Sequence, residues 1–127
     1  MTGNEIGTIV VDCAVKLHMD IGPGLLESVY EAILEYKLKE RGLKVERQIP
    51  IPITYAGITL KEGFRADMMI EKKVILELKS VETNSKIHKK QVLTYLKLTG
   101  LKLGYLLNFG QVVMKDGITR LANGSLE

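Results

Sequence analysis

The first forty residues carry apolar side chains at helical spacing. Over residues 5–19 the apolar positions recur every three or four residues, which predicts an amphipathic helix. Gly22-Pro23-Gly24 interrupts the pattern, and a second helix is predicted from about Leu25 to Arg41, with Gly42 in the usual C-terminal stop position. The predicted buried stripe of this second helix consists of Leu26, Val29, Tyr30, Ile33 and Tyr36.

From Leu43 onward the pattern changes to the alternation that is typical of β-strands. Pro50 and Pro52 point the same way and lack amide donors, so the first strand is predicted to lie at a sheet edge. The second strand is predicted to bend near Gly63. The predicted elements are strands over 44–55, 58–70 and 74–80, a helix over 85–99, a strand over 101–110 and a hairpin over 111–122 that turns at Asp116-Gly117.

The resulting element order, ααβββαβββ, indicates an α/β fold. The chain has 127 residues, of which 46% are hydrophobic, so it can bury a core without disulfides or a structural metal. Repeats, linkers and low-complexity segments are absent from the sequence. A single domain over residues 1–127 is therefore predicted.

Cysteine content and charge say only a little about the cellular compartment and the partners of the protein. Cys13 is the one cysteine, which excludes an intrachain disulfide and favours a reducing, cytoplasmic environment. The N-terminus lacks the basic head of a signal peptide, and no apolar run reaches the length of a membrane span. A formal net charge of +3 is compatible with a polyanionic partner.

The stretch Val74–Ser80, VILELKS, places an acid and a base inside a strand that otherwise suits the core. A two-residue turn at Lys72-Lys73 would put Asp67 and Glu77 on opposite faces, whereas a three-residue turn over 71–73 pairs them. The second register is preferred because it separates apolar from charged positions. One face then carries Ala66, Met68, Ile70, Val74, Leu76 and Leu78, and the other carries Arg65, Asp67, Met69, Ile75, Glu77 and Lys79.

Two paired carboxylates repel each other unless a proton or a cation lies between them. Oxygen ligands suit a hard ion such as Mg²⁺, and the ammonium of Lys79 could orient a water molecule or stabilise charge on a phosphate. The residues alone leave a second interpretation open. In it, Arg65, Asp67, Glu77 and Lys79 form cross-strand ion pairs on a solvated face.

Three motifs resemble those of a known group of enzymes. Asp67 followed by Glu77-Leu78-Lys79 resembles the D…(D/E)xK signature of the PD-(D/E)XK nuclease superfamily, with Ala66 in the place of the usual proline. The segment 24–30, GLLESVY, is similar to the motif that names the GxxExxY family within that superfamily. Gln91 to Tyr95 is similar to the QxxxY element of RecB-like nucleases. The resemblance implies a restriction-endonuclease-like core, with a mixed β-sheet flanked by helices.

The resemblance also implies a site that uses Mg²⁺ or Mn²⁺. The implied metal ligands are Asp67, Glu77, the Leu78 carbonyl and Glu27. The implied catalytic set is Asp67, Glu77, Lys79, Glu27 and Gln91, with Tyr30, Tyr95 and Arg65 in support. The implied phosphate contacts are Lys86, Lys90 and Lys97 on the third helix. From the residues alone, Glu27 could equally serve a helix N-terminus, Gln91 could be a half-buried amide, and the lysines could form a solvated face.

Two functions follow, and they belong to different classes. The first is a divalent-metal-dependent nuclease that hydrolyses DNA or RNA, with DNA the preferred partner, contacts mainly phosphates and needs no membrane. The second is a catalytically inactive module with the same fold that binds nucleic acid or protein, a homodimer included. An enzyme is favoured, and metal binding separates the two hypotheses.

Overall fold

Five strands in the order β1-β2-β3-β4-β5 form one sheet in the computed structural model, which describes residues 1–124. Neighbouring strands are antiparallel except β3 and β4, which run parallel, so the sheet is mixed as predicted. The elements are α1 Gly3–Ile21, α2 Glu27–Glu40, β1 Val45–Tyr55, β2 Ile58–Ile70, β3 Val74–Lys79, α3 Lys86–Thr99, β4 Leu103–Asn108, α4 Met114–Gly117 and β5 Ile118–Ala122.

Two hydrophobic clusters hold the helices to the sheet. The larger cluster joins α1 and α2 to β2, β3 and β4, and the smaller joins α3 to the sheet through Val92 and Leu96. The apolar stripe predicted for the first helix is buried, except that Ile9 is only partly covered. Burial of this apolar area supplies the main stabilisation of the fold. Among residues 1–124, no helix is both long and apolar enough to cross a bilayer.

The buried stripe of α2 differs from the prediction. Leu26, Val29 and Tyr36 are exposed, Leu26 by 74%. Tyr30 is buried as predicted, and the other buried residues of the stripe are Glu31, Leu34 and Leu38. These residues follow a period of three to four, but the stripe includes a charged residue, which a search for apolar positions does not select.

The predicted terminal hairpin is wrong. Residues 111–113 form no strand, and Asp116-Gly117 belongs to the short helix α4. The last strand, β5, pairs with β4 instead. Gly117 packs so closely against Asn108 that a Cβ at this position would overlap the Asn108 carbonyl oxygen. Glycine is therefore needed here for a close approach of two backbones rather than for a hairpin turn.

The predicted edge strand and the predicted β2–β3 register are both observed. β1 lies at one edge of the sheet, and Ile70 pairs with Val74 across a turn over 71–73. Glu71 and Lys72 supply the left-handed conformations of that turn, with φ of 53° and 54°, although neither is glycine. The β1–β2 register shifts between the pairs Ile51–Phe64 and Ile53–Leu60, a span that includes Gly63, and the bend predicted there stays a prediction.

One residue leaves its predicted face. Ala66 was expected beside Met68, but it packs in the smaller cluster on the α3 side, whereas Met68 packs in the larger one. Simple alternation therefore fails at Asp67, which lies between them. Gln48 lies opposite Asp67 on β1 and has a left-handed backbone, with φ of 49°. This local distortion re-aims side chains on neighbouring strands.

Candidate active site

Asp67 on β2 and Glu77 on β3 lie against each other. The amide of Leu78 donates to Asp67 Oδ2 over 2.9 Å, and the amide of Asp67 donates to Glu77 Oε1 over 3.4 Å. Each carboxylate therefore contacts the backbone of the other strand. The predicted register thus brings the two acids to one place, while their roles stay a prediction.

Burial, and after it the negative charge of Asp67, raise the pKa of Glu77 from its ordinary 4.5 to about 8. The ammonium of Lys79 on the same strand acts in the opposite direction. Tyr95 on α3 is close enough to feel the same charges, because burial, Glu77 and Asp67 together raise its pKa. The negative charge of the two acids is therefore not fully balanced by nearby positive charge, and such a site favours the binding of a proton or a cation.

Two polar residues that are not among the predicted site residues, Glu31 and Gln48, lie beside the acid pair. The Gln48 side-chain amide donates to both carboxylate oxygens of Glu31, over 3.1 and 3.2 Å, and to Asp67 Oδ1 over 3.3 Å. Glu31 lies on α2 with a side chain only 7% exposed, and it also accepts from Arg47 Nε over 3.3 Å. Glu31 lies on the same helical stripe as Leu34 and Leu38, and this spacing in the sequence could have indicated that it is buried. Nothing in the strand pattern indicated Gln48.

Glu27 does not contact the acid pair. It is exposed, and its Oε2 accepts from the Ser80 amide over 3.3 Å. Ser80 Oγ in turn donates to the Leu25 carbonyl over 2.6 Å. These two hydrogen bonds fasten the loop between α1 and α2 to the residue that follows Lys79. The structure thus places Glu27 at the carboxyl end of β3, where it contacts the chain next to the acid pair rather than the carboxylates.

Tyr30 fastens the same loop from inside. Its hydroxyl donates to the Gly22 carbonyl over 2.7 Å and accepts from the Leu25 amide over 3.2 Å. Its ring stacks on Phe109 with centroids 4.4 Å apart. Gly24 in this loop has φ of 104°, which favours glycine. The backbone conformation of Gly24 and the hydrogen bonds of Glu27 and Tyr30 therefore explain the GxxExxY spacing as a clamp on one loop.

Changing Tyr30 to Phe should remove both hydroxyl hydrogen bonds while keeping the stacked ring. We expect the free energy of unfolding to fall by about 1–2 kcal/mol, measured by urea denaturation. Tyr36→Phe on the exposed face of the same helix is the matched control, with an expected change of about 0.5 kcal/mol or less. Equal effects of the two changes would contradict the clamp.

Helix α3 presents its predicted residues to solvent. Gln91 is exposed and has no hydrogen-bond partner in the part of the chain that the structure describes. Tyr95 stacks on Phe64 with centroids 3.7 Å apart, so it is half-buried beside the acid pair. The predicted phosphate contacts are exposed, and within residues 1–124 none lies within 4.0 Å of a carboxylate: Lys86, Lys90 and Lys97.

Arg65 contacts Glu62 and the backbone of β1. Its guanidinium donates to Glu62 Oε1 over 2.7 Å and to the Gln48 carbonyl over 2.9 Å. Arg65 thus supports the residue that contacts Asp67 rather than the acid pair itself. Lys79 is half-buried, and it too has no carboxylate within 4.0 Å among residues 1–124.

The donor set fits a metal that keeps part of its water shell. No group of three or more His, Cys, Asp or Glu side chains in residues 1–124 is arranged to hold a metal ion. Asp67 and Glu77 supply two adjacent carboxylates and only oxygen donors. Mg²⁺ is commonly bound through one or two carboxylates, with waters and substrate phosphates completing the octahedron. The pair therefore fits Mg²⁺ and does not fit a closed structural zinc site.

Comparison with known proteins places the chain in a superfamily. The structure is similar to the crystal structure of SSO0001, with 25% sequence identity and a TM-score of 0.50 over 80% of this chain. The match covers 52% of SSO0001, so the chain spans about half the length of that protein. A search of curated proteins gives no significant match. The sequence profile of the PD-(D/E)XK nuclease superfamily matches residues 4–121, and the chain therefore belongs to the PD-(D/E)XK nuclease superfamily.

Proposed function

We propose that this protein is a divalent-metal-dependent nuclease that hydrolyses phosphodiester bonds in DNA. The observation that carries the proposal is the contact between the Asp67 and Glu77 carboxylates on neighbouring strands, with Lys79 on the strand of Glu77. Members of the superfamily generally use divalent metals, and this donor set suits such an ion.

Asp67 and Glu77 are the proposed ligands of Mg²⁺, which Mn²⁺ could replace, and the Leu78 carbonyl is a proposed further oxygen ligand. When bound, the ion would polarise the scissile phosphate and lower the pKa of the attacking water. Asp67 is already oriented for this role because its Oδ2 accepts from the Leu78 amide. The two carboxylates would thus hold the ion from positions that backbone hydrogen bonds already fix.

Lys79 is proposed to orient the attacking water and to stabilise the charge that develops on the phosphate. It has no carboxylate partner within residues 1–124, so its ammonium remains available for an anionic substrate. Glu27 supports Lys79 indirectly, since it binds the amide of the next residue, Ser80. Gln91 is exposed on α3 and is proposed to contact a phosphate or the water.

The lysines of α3 are proposed to bind the sugar-phosphate backbone. Lys86, Lys90 and Lys97 are exposed and repeat along one helix. Phosphate contacts give affinity without sequence specificity. The chain has two Phe, five Tyr and no Trp, so it offers little surface for base stacking, which favours recognition of DNA shape.

The proposal extends to the GxxExxY group of this superfamily. The contacts of Gly24, Glu27 and Tyr30 support it, because each residue of the motif has a distinct task in holding the loop that faces Ser80. A homodimer and a single domain over residues 1–127 remain predictions.

Titration calorimetry with Mn²⁺ tests the proposed function directly. The wild-type protein should bind the ion, and Glu77→Ala should weaken binding by about 100-fold or more. Mutation of a residue that only supports a metal ligand already lowers metal affinity by about 10–100-fold, so the loss of a ligand should have at least that effect. The matched control is Glu40→Ala, at the exposed C-terminal end of α2, which should bind like the wild type. Absence of a binding signal from the wild type would instead favour an inactive module.

A further inference from the structure

Gln48 adopts a backbone conformation that its side chain does not favour. Its φ is 49°, whereas non-glycine residues other than Asn and Asp rarely enter the left-handed region. It lies within β1 between two regular pairs, Arg47 with Met68 and Ile49 with Ala66, so no turn requires this conformation. Strain of this kind persists only where the surroundings enforce it, and it is often found at functional sites.

The surroundings of Gln48 hold both its backbone and its side chain. The Arg65 guanidinium donates to the Gln48 carbonyl over 2.9 Å. The side-chain amide lies between two carboxylates and donates to Glu31, over 3.1 and 3.2 Å, and to Asp67 Oδ1 over 3.3 Å. Arg47 binds Glu31 and Glu35, which keeps Glu31 in place from the other side.

We propose that Gln48 is a positioning residue that fixes the orientation of Asp67 for metal binding. The inference rests on the proposed metal-dependent function. Asp67 receives one donor on each oxygen: the Gln48 amide at Oδ1 from β1, and the Leu78 amide at Oδ2 from β3. With both oxygens held, the carboxylate cannot rotate freely about its last bond. Glu31 anchors the Gln48 amide, and the left-handed backbone aims it.

The side chain and the backbone of Gln48 can be separated by mutation. Glycine adopts the left-handed conformation without strain, so Gln48→Gly removes the amide while relieving the backbone. Asparagine also tolerates this conformation, but its side chain is one methylene shorter. If the Gln48 amide has no role at the metal site, both variants should bind Mn²⁺ like the wild type. If it positions Asp67, both should fold well and bind metal poorly.

The test combines thermal unfolding with Mn²⁺ binding, measured by calorimetry or by electron paramagnetic resonance of the free ion. We expect Gln48→Gly and Gln48→Asn to keep or raise the wild-type melting temperature in the absence of metal. Both variants should bind Mn²⁺ about tenfold more weakly or worse, because mutation of a residue that orients a metal ligand typically lowers metal affinity by that much. The matched control is Ala56→Gly in the β1–β2 turn, where φ is 51°, because it gives the same backbone relief away from the acids.

The possible results distinguish the positioning role of Gln48 from the proposed metal-dependent function. Wild-type Mn²⁺ affinity in both Gln48 variants would overturn the positioning role and leave the proposed function standing. Failure of both variants to fold would also overturn it, since Gln48 would then serve the fold. If the wild type itself does not bind Mn²⁺, the proposed function fails, and the positioning role falls with it.

Discussion

Replacing Asp67 by alanine is expected to lower Mg²⁺-dependent cleavage of DNA by about 1,000-fold or more. The change removes a carboxylate that lies against Glu77 and accepts from the Leu78 amide. A metal ion contributes several kcal/mol of charge stabilisation in the transition state, and about 4 kcal/mol corresponds to a factor of roughly 1,000. The rate should be measured on labelled single-stranded, double-stranded and branched DNA, with EDTA as the metal-free reference.

The control for this experiment is Asp20→Ala, which removes an exposed acid near the end of α1. It should cleave at the wild-type rate. Circular dichroism should show that Asp67→Ala keeps the native fold. Cleavage by Asp67→Ala at the wild-type rate, with the same metal dependence, would remove Asp67 from the proposed mechanism.

Glu77→Gln is expected to stabilise the metal-free protein, and the gain should grow with pH. The pKa of Glu77 is about 8 in the folded state, chiefly because of burial, against an ordinary value of 4.5. Between these values the folded state holds a proton that the unfolded state releases, so stability is lost as pH rises from about 4.5 to about 8. Glutamine keeps the shape of the protonated acid and has no charge to bury.

Urea denaturation in EDTA at pH 5, 7 and 9 measures this difference. Each pKa unit corresponds to about 1.4 kcal/mol, and most of the rise from 4.5 to about 8 lies between pH 5 and pH 9, so Glu77→Gln should exceed the wild type by about 4 kcal/mol more at pH 9 than at pH 5. Glu46→Gln on the exposed side of β1 is the control, and its effect should not vary across this range. A constant difference between Glu77→Gln and the wild type would show that Glu77 titrates normally.

The sequence predicted those parts of the fold in which local pattern and tertiary packing agree. The three-residue turn over 71–73 follows from separating apolar from charged positions, and the structure pairs Ile70 with Val74 accordingly. The edge position of β1 follows from Pro50 and Pro52, which cannot donate to a neighbouring strand. In both cases one physical constraint excludes the alternatives.

The sequence failed where tertiary contacts overrule pattern. Asp116-Gly117 is a strong local turn signal, yet Gly117 serves a close approach to Asn108 that no short-range rule contains. Apolar patterning does not select Glu31, although Arg47 pairs with its charge and the Gln48 amide donates to it. Gln48 was hidden because strand alternation assumes an extended backbone at every position.

The edge position of β1 has a consequence for how two copies of this chain can meet. A sheet grows by another strand only where the edge offers a continuous row of amide donors and carbonyl acceptors. Pro50 and Pro52 remove two donors from β1, and β5 at the opposite edge has only five residues. Joining two sheets edge to edge is therefore disfavoured at both ends, and a homodimer of this chain would have to form through side-chain surfaces.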